Sequence, residues 1–198
     1  MSYNIILVHY VHKVNVEGLR DENPLKTLVS KIIRGLNSNI SDLNFITIRT
    51  DGSIDSKIKS AAFLFFNTHQ CDLGIFLADT DGKPSKASRI RSKVTQNCAQ
   101  VNTAAKYAIG LPNPSYEQWL LDEENSIKRI FHLPGNQKLP YDTLSPKERL
   151  EKIIDYHRSI TVPPSEMYTN ITRDLGLNKL CRSNRSFKSF YSSLQSAL

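Results

Sequence analysis

The sequence predicts an α/β fold in which a mostly parallel sheet carries helices on both faces. Three observations predict it. The chain opens on a continuous apolar run, Ile5-Ile6-Leu7-Val8, of the kind that suits a strand buried on both faces. Segments with helical spacing of apolar residues separate it from three further strand-like segments. This strand–helix rhythm holds from residue 4 to about residue 131, and such alternation is the signature of a parallel sheet connected by crossovers.

The elements follow in order. Asn4–Val11 reads as the first strand. Asn23-Pro24 forms an N-cap and first-turn pair, after which Leu25, Leu28, Val29, Ile32, Ile33 and Leu36 trace one helical face. Leu43–Ile48 is a second strand. Ser53 is placed to cap a helix running to about Asn67. Leu73–Ala78 is a third strand, ending abruptly at Asp79-Thr80-Asp81-Gly82. A helix from about Ser85 to Gln100 puts Ala87, Ile90, Val94 and Cys98 on one face. Ala105–Leu111 is a fourth strand, broken by Pro112-Asn113-Pro114. Ser115 then caps a helix carrying Tyr116, Trp119, Leu120, Ile127 and Ile130. Beyond it the strand signal fades. A Pro- and Gly-containing loop spans His132–Thr143, Ser145-Pro146 starts another helix, and two short helices are expected after Pro163-Pro164. The organisation is thus an α/β core over 1–135 and a helical C-terminal extension over 136–198 packed on it.

Composition narrows the function classes. Of 198 residues, 39% are hydrophobic and 23% charged, as in a globular rather than a disordered chain. The longest apolar run, Ala61–Phe66, is far short of the ~20 residues of a membrane span. The N-terminus lacks a basic region followed by a signal-peptide apolar segment, so a cytoplasmic location is expected. Cys71, Cys98 and Cys181 are widely spaced and read as buried reduced thiols, not a disulfide framework or zinc site. The net charge of +7, with a pI near 9.3, favours a polyanionic partner, chiefly nucleic acid.

The sharpest chemical signal is Asp79-x-Asp81-Gly82 at the end of an apolar strand. Sites in open α/β sheets form at the carboxyl ends of strands. Two carboxylates so close repel unless a cation lies between them, and Mg²⁺ suits a few carboxylates plus water. An ordinary acidic turn is the plainer alternative, since Asp-Gly is common in turns. A calcium EF-hand loop fails because Lys83 stands where an oxygen ligand is needed. A haloacid-dehalogenase phosphatase is disfavoured by that same lysine, and by a motif on the third strand instead of the first. A P-loop is excluded because no Gly-x-x-x-x-Gly-Lys-Ser/Thr occurs.

Further acidic candidates flank it. Glu117 lies in the first turn after the fourth strand, where an acid also serves as dipole compensation. Glu17, in Val16-Glu17-Gly18, is a candidate ligand or general base, either at the end of a long first strand or on a loop. Asp21 and Glu22 read as helix-start charges. Among the basic residues after the Asp-x-Asp, Lys83, Lys86 and Arg89 are candidates for phosphate contact, with Lys83 foremost. Arg91 and Lys93 read as a solvated face. Lys179, Arg182, Arg185 and Lys188 interleave with Phe187, Phe190 and Tyr191, a pattern read first as a helix burying its aromatics, with stacking on nucleic-acid bases as the alternative. His9 and His12 read as structural, with His12 also within reach of catalysis.

Val-Glu-Gly before a helix, a strand ending in Asp-x-Asp-Gly, and a strand leading to Asn113-Pro114-x-x-Glu117-x-Trp119-Leu120-Leu121 resemble the small Toprim-like proteins of bacterial anti-phage operons. Those proteins are related to the catalytic domains of the overcoming-lysogenization-defect nucleases. The resemblance covers about residues 4–131. It implies a four-stranded, mostly parallel Toprim-like core that binds Mg²⁺ (or Mn²⁺) through positions matching Glu17, Asp79 and Asp81, with Glu117 as a fourth site acid. The extended Tyr10–Val16 stretch departs from the family's pattern before Glu17. The implied function is metal-dependent hydrolysis of DNA or RNA, as a defence effector beside an ABC/SMC-type ATPase subunit, in a form compatible with a homo-oligomer. Two alternatives stand beside it: a non-catalytic Toprim-shaped subunit that binds an ATPase or nucleic acid, and a small-molecule phosphohydrolase.

Overall fold

The structure, a computed structural model, describes residues 2–9, 22–49, 54–64, 71–101, 106–158 and 161–198. Four parallel strands form one sheet among these residues: β1 (Ser2–His9), β2 (Asp42–Arg49), β3 (Leu73–Leu77) and β4 (Tyr107–Gly110), in the order β2-β1-β3-β4. The chain crosses from β1 to β2 through α1 (Glu22–Leu36), then returns past β1 to β3 through α2 (Ile54–Phe63). The order therefore reverses between β1 and β3, which makes the carboxyl ends of those strands the crevice of the sheet. α3 (Pro84–Val101) joins β3 to β4.

Both faces of the sheet are covered, which explains the near-continuous apolar strands. Successive side chains of a strand point to opposite faces. In β3 all five residues are buried. Leu73, Ile75 and Leu77 join Ile5, Leu7 and the apolar face of α1 (Leu25, Leu28, Val29, Ile32, Ile33) in the larger core. Phe76 and Ala78 join Val8, Ile58, Ile90, Val94 and Cys98 in the smaller core under α2 and α3.

The larger core extends into the C-terminal helices: α4 (Tyr116–Asp122), α5 (Glu124–Ile130), α6 (Pro146–His157), α7 (Pro164–Asp174), α8 (Leu177–Ser183) and α9 (Arg185–Ala197). Trp119 of α4 is fully buried between Phe187 and Phe190 of α9, edge-on to the first at 5.2 Å and stacked on the second at 5.6 Å. Its Nε1 donates to Ser186 Oγ at 2.7 Å, so the indole keeps its hydrogen bond in a dry site. α9 also closes on the edge strand β4, where the Ile109 amide donates to Ser193 Oγ at 3.1 Å. Gly110 permits this approach. A Cβ there would collide with Leu77 Cδ2 and press Phe190 Cδ2 at 3.0 Å.

Several local expectations change. α1 begins at Glu22, so Asn23 and Pro24 sit inside its first turn, where Pro's missing N–H costs nothing. Three helices, not two, follow Pro163. Cys71, Cys98 and Cys181 are free, but only Cys98 is fully buried, where burial pushes its thiol up to about 12. The single helix expected after Ser115 is two, broken at Glu123. Among the described residues no helix is long and apolar enough to cross a membrane.

The break has a physical cause. Glu123 is almost wholly buried, and its carboxylate accepts the Ser126 amide at 2.9 Å and the Ser126 hydroxyl, capping α5. Lys179 of α8 at 3.1 Å and Arg129 at 3.6 Å pair with it. Burial alone would raise this carboxyl. The bonds from Ser126 and Lys179 outweigh burial and hold it below the ordinary Glu range. A carboxyl with a lowered folded pKa adds stability above its unfolded value of about 4.3 and loses it as pH falls through the folded value. Glu123→Gln is therefore expected to cost about 1–2 kcal/mol at pH 7. In thermal melts the gap to wild type should be full at pH 7 and shrink below about pH 4. An equal gap at both pH values would contradict the charged role.

Candidate functional site

Two loops meet at the carboxyl edge of the sheet. One leaves β3 at residues 78–83, and the other leaves β4 at residues 111–115. They run side by side because the parallel pairing of β3 and β4 continues past both strand ends. The Ala78 amide donates to the Gly110 carbonyl at 3.1 Å, Thr80 to Pro112 at 3.0 Å, and Asp81 to Pro114 at 2.9 Å. Thr80 is sealed at 2% exposure, and its hydroxyl lies 2.9 Å from both the Pro112 carbonyl and Asn113 Oδ1. A cis peptide joins Asn113 to Pro114. Asp81 and Gly82 take φ of +52° and +72°, and the Lys83 amide closes the turn on the Thr80 carbonyl at 2.9 Å. Asp tolerates the left-handed region better than most side chains, and Gly is at ease there, so Asp-Gly is suited to this tight turn.

The two aspartates are held by different partners. Asp79, half-buried, accepts the Tyr116 amide on Oδ1 at 3.0 Å. That amide belongs to the first residue of α4, so Asp79 caps the helix from another strand. Ser115, the expected cap, makes no side-chain cap bond, and its hydroxyl is buried without a partner. Asp81 has a side chain 52% exposed and pairs with Lys86 Nζ at 2.7 Å. The charge of Lys86 is thus already engaged, whereas Lys83 and Arg89 are exposed and make no ion pair among the described residues.

Glu117 follows Tyr116 in the first turn of α4 and is only 6% exposed. Its carboxylate has no hydrogen-bond or ion-pair partner among the described residues. Among those residues, only Thr47 and Ser115 carry a side-chain oxygen that is both sealed and unpaired. The Glu117 carboxylate therefore keeps contact with solvent while its stem is packed. An acid with a buried stem, a wet tip and no internal partner is available for chemistry.

Among the described residues no three carboxylate, imidazole or thiolate groups come together as a metal cage. Glu17 and His12 lie outside the described residues, as does the side chain of His9. Oxygen donors at Asp79 and Asp81 nevertheless fit Mg²⁺ or Mn²⁺, because Mg²⁺ is commonly held by one or two carboxylates plus water and substrate phosphate. Of the basic residues, Arg91, read from sequence as part of a solvated face, is exposed, and it lines an open recess with Thr80, Lys83, Asn113 and Arg185. Thr80 escaped the sequence reading too. A hydroxyl between two acids, straight after a fully buried strand, was the signal for it. No family model, curated protein or solved structure matches this chain.

The cap makes a structural forecast that is separate from activity. Asp79→Ala removes the acceptor of the Tyr116 amide and is expected to cost about 1 kcal/mol. Asp79→Asn keeps an acceptor oxygen and should cost only a few tenths of that. Denaturant melts of the two variants check this. Equal loss in both would mean that the charge, not the cap, is what the fold uses.

Proposed function

We propose that this protein is a Toprim-like, metal-dependent nuclease that hydrolyses phosphodiesters of DNA or RNA, as an anti-phage effector working with a partner ATPase. The observation that carries this reading is the loop of Asp79 and Asp81. It is locked by three backbone hydrogen bonds to its neighbour, at the carboxyl end of β3 beside the point where the strand order reverses. A rigid, acidic, sheet-edge loop continued by Lys83, with Arg89 further along α3, both without an ion pair among the described residues, suits a phosphate-processing site.

Asp79 and Asp81 would hold Mg²⁺ or Mn²⁺, with Glu17 as a further ligand matched by the family resemblance. When bound, the ion would supply polarisation of the phosphate and a water more acidic than bulk water. The rest falls to the chain itself. Lys83, exposed at the mouth of the α3 helix, is placed to offset charge that builds on the phosphate oxygens. Glu117, with its carboxylate in contact with solvent, would accept a proton from an attacking water or orient it. The Asp79–Tyr116 bond fixes the register of Asp79 and Glu117, because the residue that Asp79 holds is adjacent to Glu117 in the chain.

A second reading has its own support. Asp79 is engaged as a cap and Asp81 as an ion-pair partner, which suits a non-catalytic subunit that binds nucleic acid or an ATPase. The Asp79→Asn variant separates the two, because it keeps the cap and removes the charge. The nuclease reading expects wild-type protein with Mg²⁺ or Mn²⁺ to cut labelled DNA or RNA, and Asp79→Asn to cut about 100-fold more slowly or worse with a nearly unchanged melting temperature. Equal cutting rates in the two proteins would reject Asp79 as part of the catalytic site, and no cutting by wild type with either ion, both alone and with its ATPase, would reject the nuclease in favour of the binding subunit.

A further inference from the structure

A cavity of about 520 Å³ lies between the first turns of α3 and α9, floored by the end of β4. Lys83 and Arg91 line it from the α3 side, and Arg185 from the α9 side. Arg91 also lines a second recess of about 510 Å³, which continues along α9 to Lys106. At the other end Arg185 lines a third, of about 650 Å³, with Arg182 and Lys188. Shared residues make the three recesses one track. None of the described residues lining it is an Asp or Glu. Of these six cations, Lys83, Arg91, Arg182, Arg185 and Lys188 make no ion pair among the described residues, and Lys106 donates to the Leu198 backbone oxygen at 3.4 Å.

Such concentrated, unneutralised charge is unfavourable without an anion to meet it. The 13 residues of α9 alone are about 20 Å long, so a single small anion cannot neutralise the track, whereas a linear polyanion can. An added β-strand is a poor fit at this edge, because the Ile109 amide of β4 is already taken by Ser193. Phe187 and Phe190 of α9 are in the core, which leaves Tyr107 as the aromatic lining residue. Few stacking surfaces and many cations mean contact with a phosphate backbone rather than reading of bases.

We propose that this track binds a single strand of nucleic acid through its phosphates, along α9 and past the mouth of α3. Its central cavity shares Thr80, Lys83 and Asn113 with the two loops of the acidic site, so the track leads the strand to Asp79 and Asp81. The choice of polymer rests on the nuclease reading, but the binding itself does not depend on cutting. Arg185 and Arg91, 94 positions apart in the chain, act on one ligand.

The test is fluorescence anisotropy with labelled DNA and RNA strands of about 20 nucleotides, in EDTA, over a KCl series starting at about 50 mM. Wild type is expected to bind both strands with affinity that falls steeply with salt. The double variant R91A/R185A should bind about 10-fold more weakly or worse, with a log–log salt slope smaller by about 1.4, since each single-strand phosphate contact contributes about 0.7. The control K138A/K152A removes the same charge away from the track and should bind like wild type. Melting temperatures of both variants show whether each is folded, and R91K/R185K should restore binding in part. Wild-type affinity in R91A/R185A, an equal loss in the control, absence of binding by wild type, or preferential capture of poly-glutamate over the strands would overturn the proposal. Track-dependent binding without cutting upholds it and overturns only the nuclease reading. Cutting that R91A/R185A leaves unchanged does the reverse.

Discussion

The Tyr116 amide opens a helix, and its acceptor is the carboxylate of a residue 37 positions earlier, at the end of another strand. A helix start leaves its first amides without intrahelical partners, so the chain must supply acceptors from elsewhere. Ser115 does not do so. Asp79 does, and in doing so it binds the β3 loop to the α4 start. The neighbouring bonds of Thr80 and Asp81 to the β4 loop repeat the constraint twice more. Loops are usually the most mobile parts of a domain, yet here the acidic loop is fastened to a helix whose next turn is anchored by Trp119 in the core.

That fastening depends on burial below it. β3 is packed on both faces, so its end cannot shift in register without moving apolar side chains from one core to the other. Gly110 lets α9 close against β4, and the Trp119–Phe187–Phe190 cluster joins the last helix of the chain to the first helix after the sheet. The C-terminal helices therefore help to set the site and are more than a cover over it. They also bring Arg185 to the same crevice as Lys83.

Much of this was legible in the sequence, for identifiable reasons. Double burial writes itself as unbroken apolar strands, and an amphipathic helix as a 3.6 period, so β1, β3, α1 and α3 were readable to within a few residues. The Asp79/Asp81 turn was readable because Asp-Gly suits positive φ. What escaped was non-local. The sequence around Ser115 looks like a cap, and only the fold shows that Asp79 takes its place. The one helix expected after Ser115 ran through Glu123 unbroken, because nothing nearby in the sequence marks Lys179 as its partner. Arg91 is exposed, as its sequence suggested, but the residues that share its recess come from β4 and α9 and could not be read locally.

The central claim is that Asp79 can serve the fold and a metal ion together, with Asp81 beside it. Anomalous diffraction from crystals soaked in Mn²⁺ tests it most directly. The account predicts an anomalous peak about 2.0–2.6 Å from carboxylate oxygens of both Asp79 and Asp81, with the Tyr116 amide still bonded to Asp79. A well-ordered loop with no peak at saturating Mn²⁺, and with Asp81 still paired to Lys86, would contradict it.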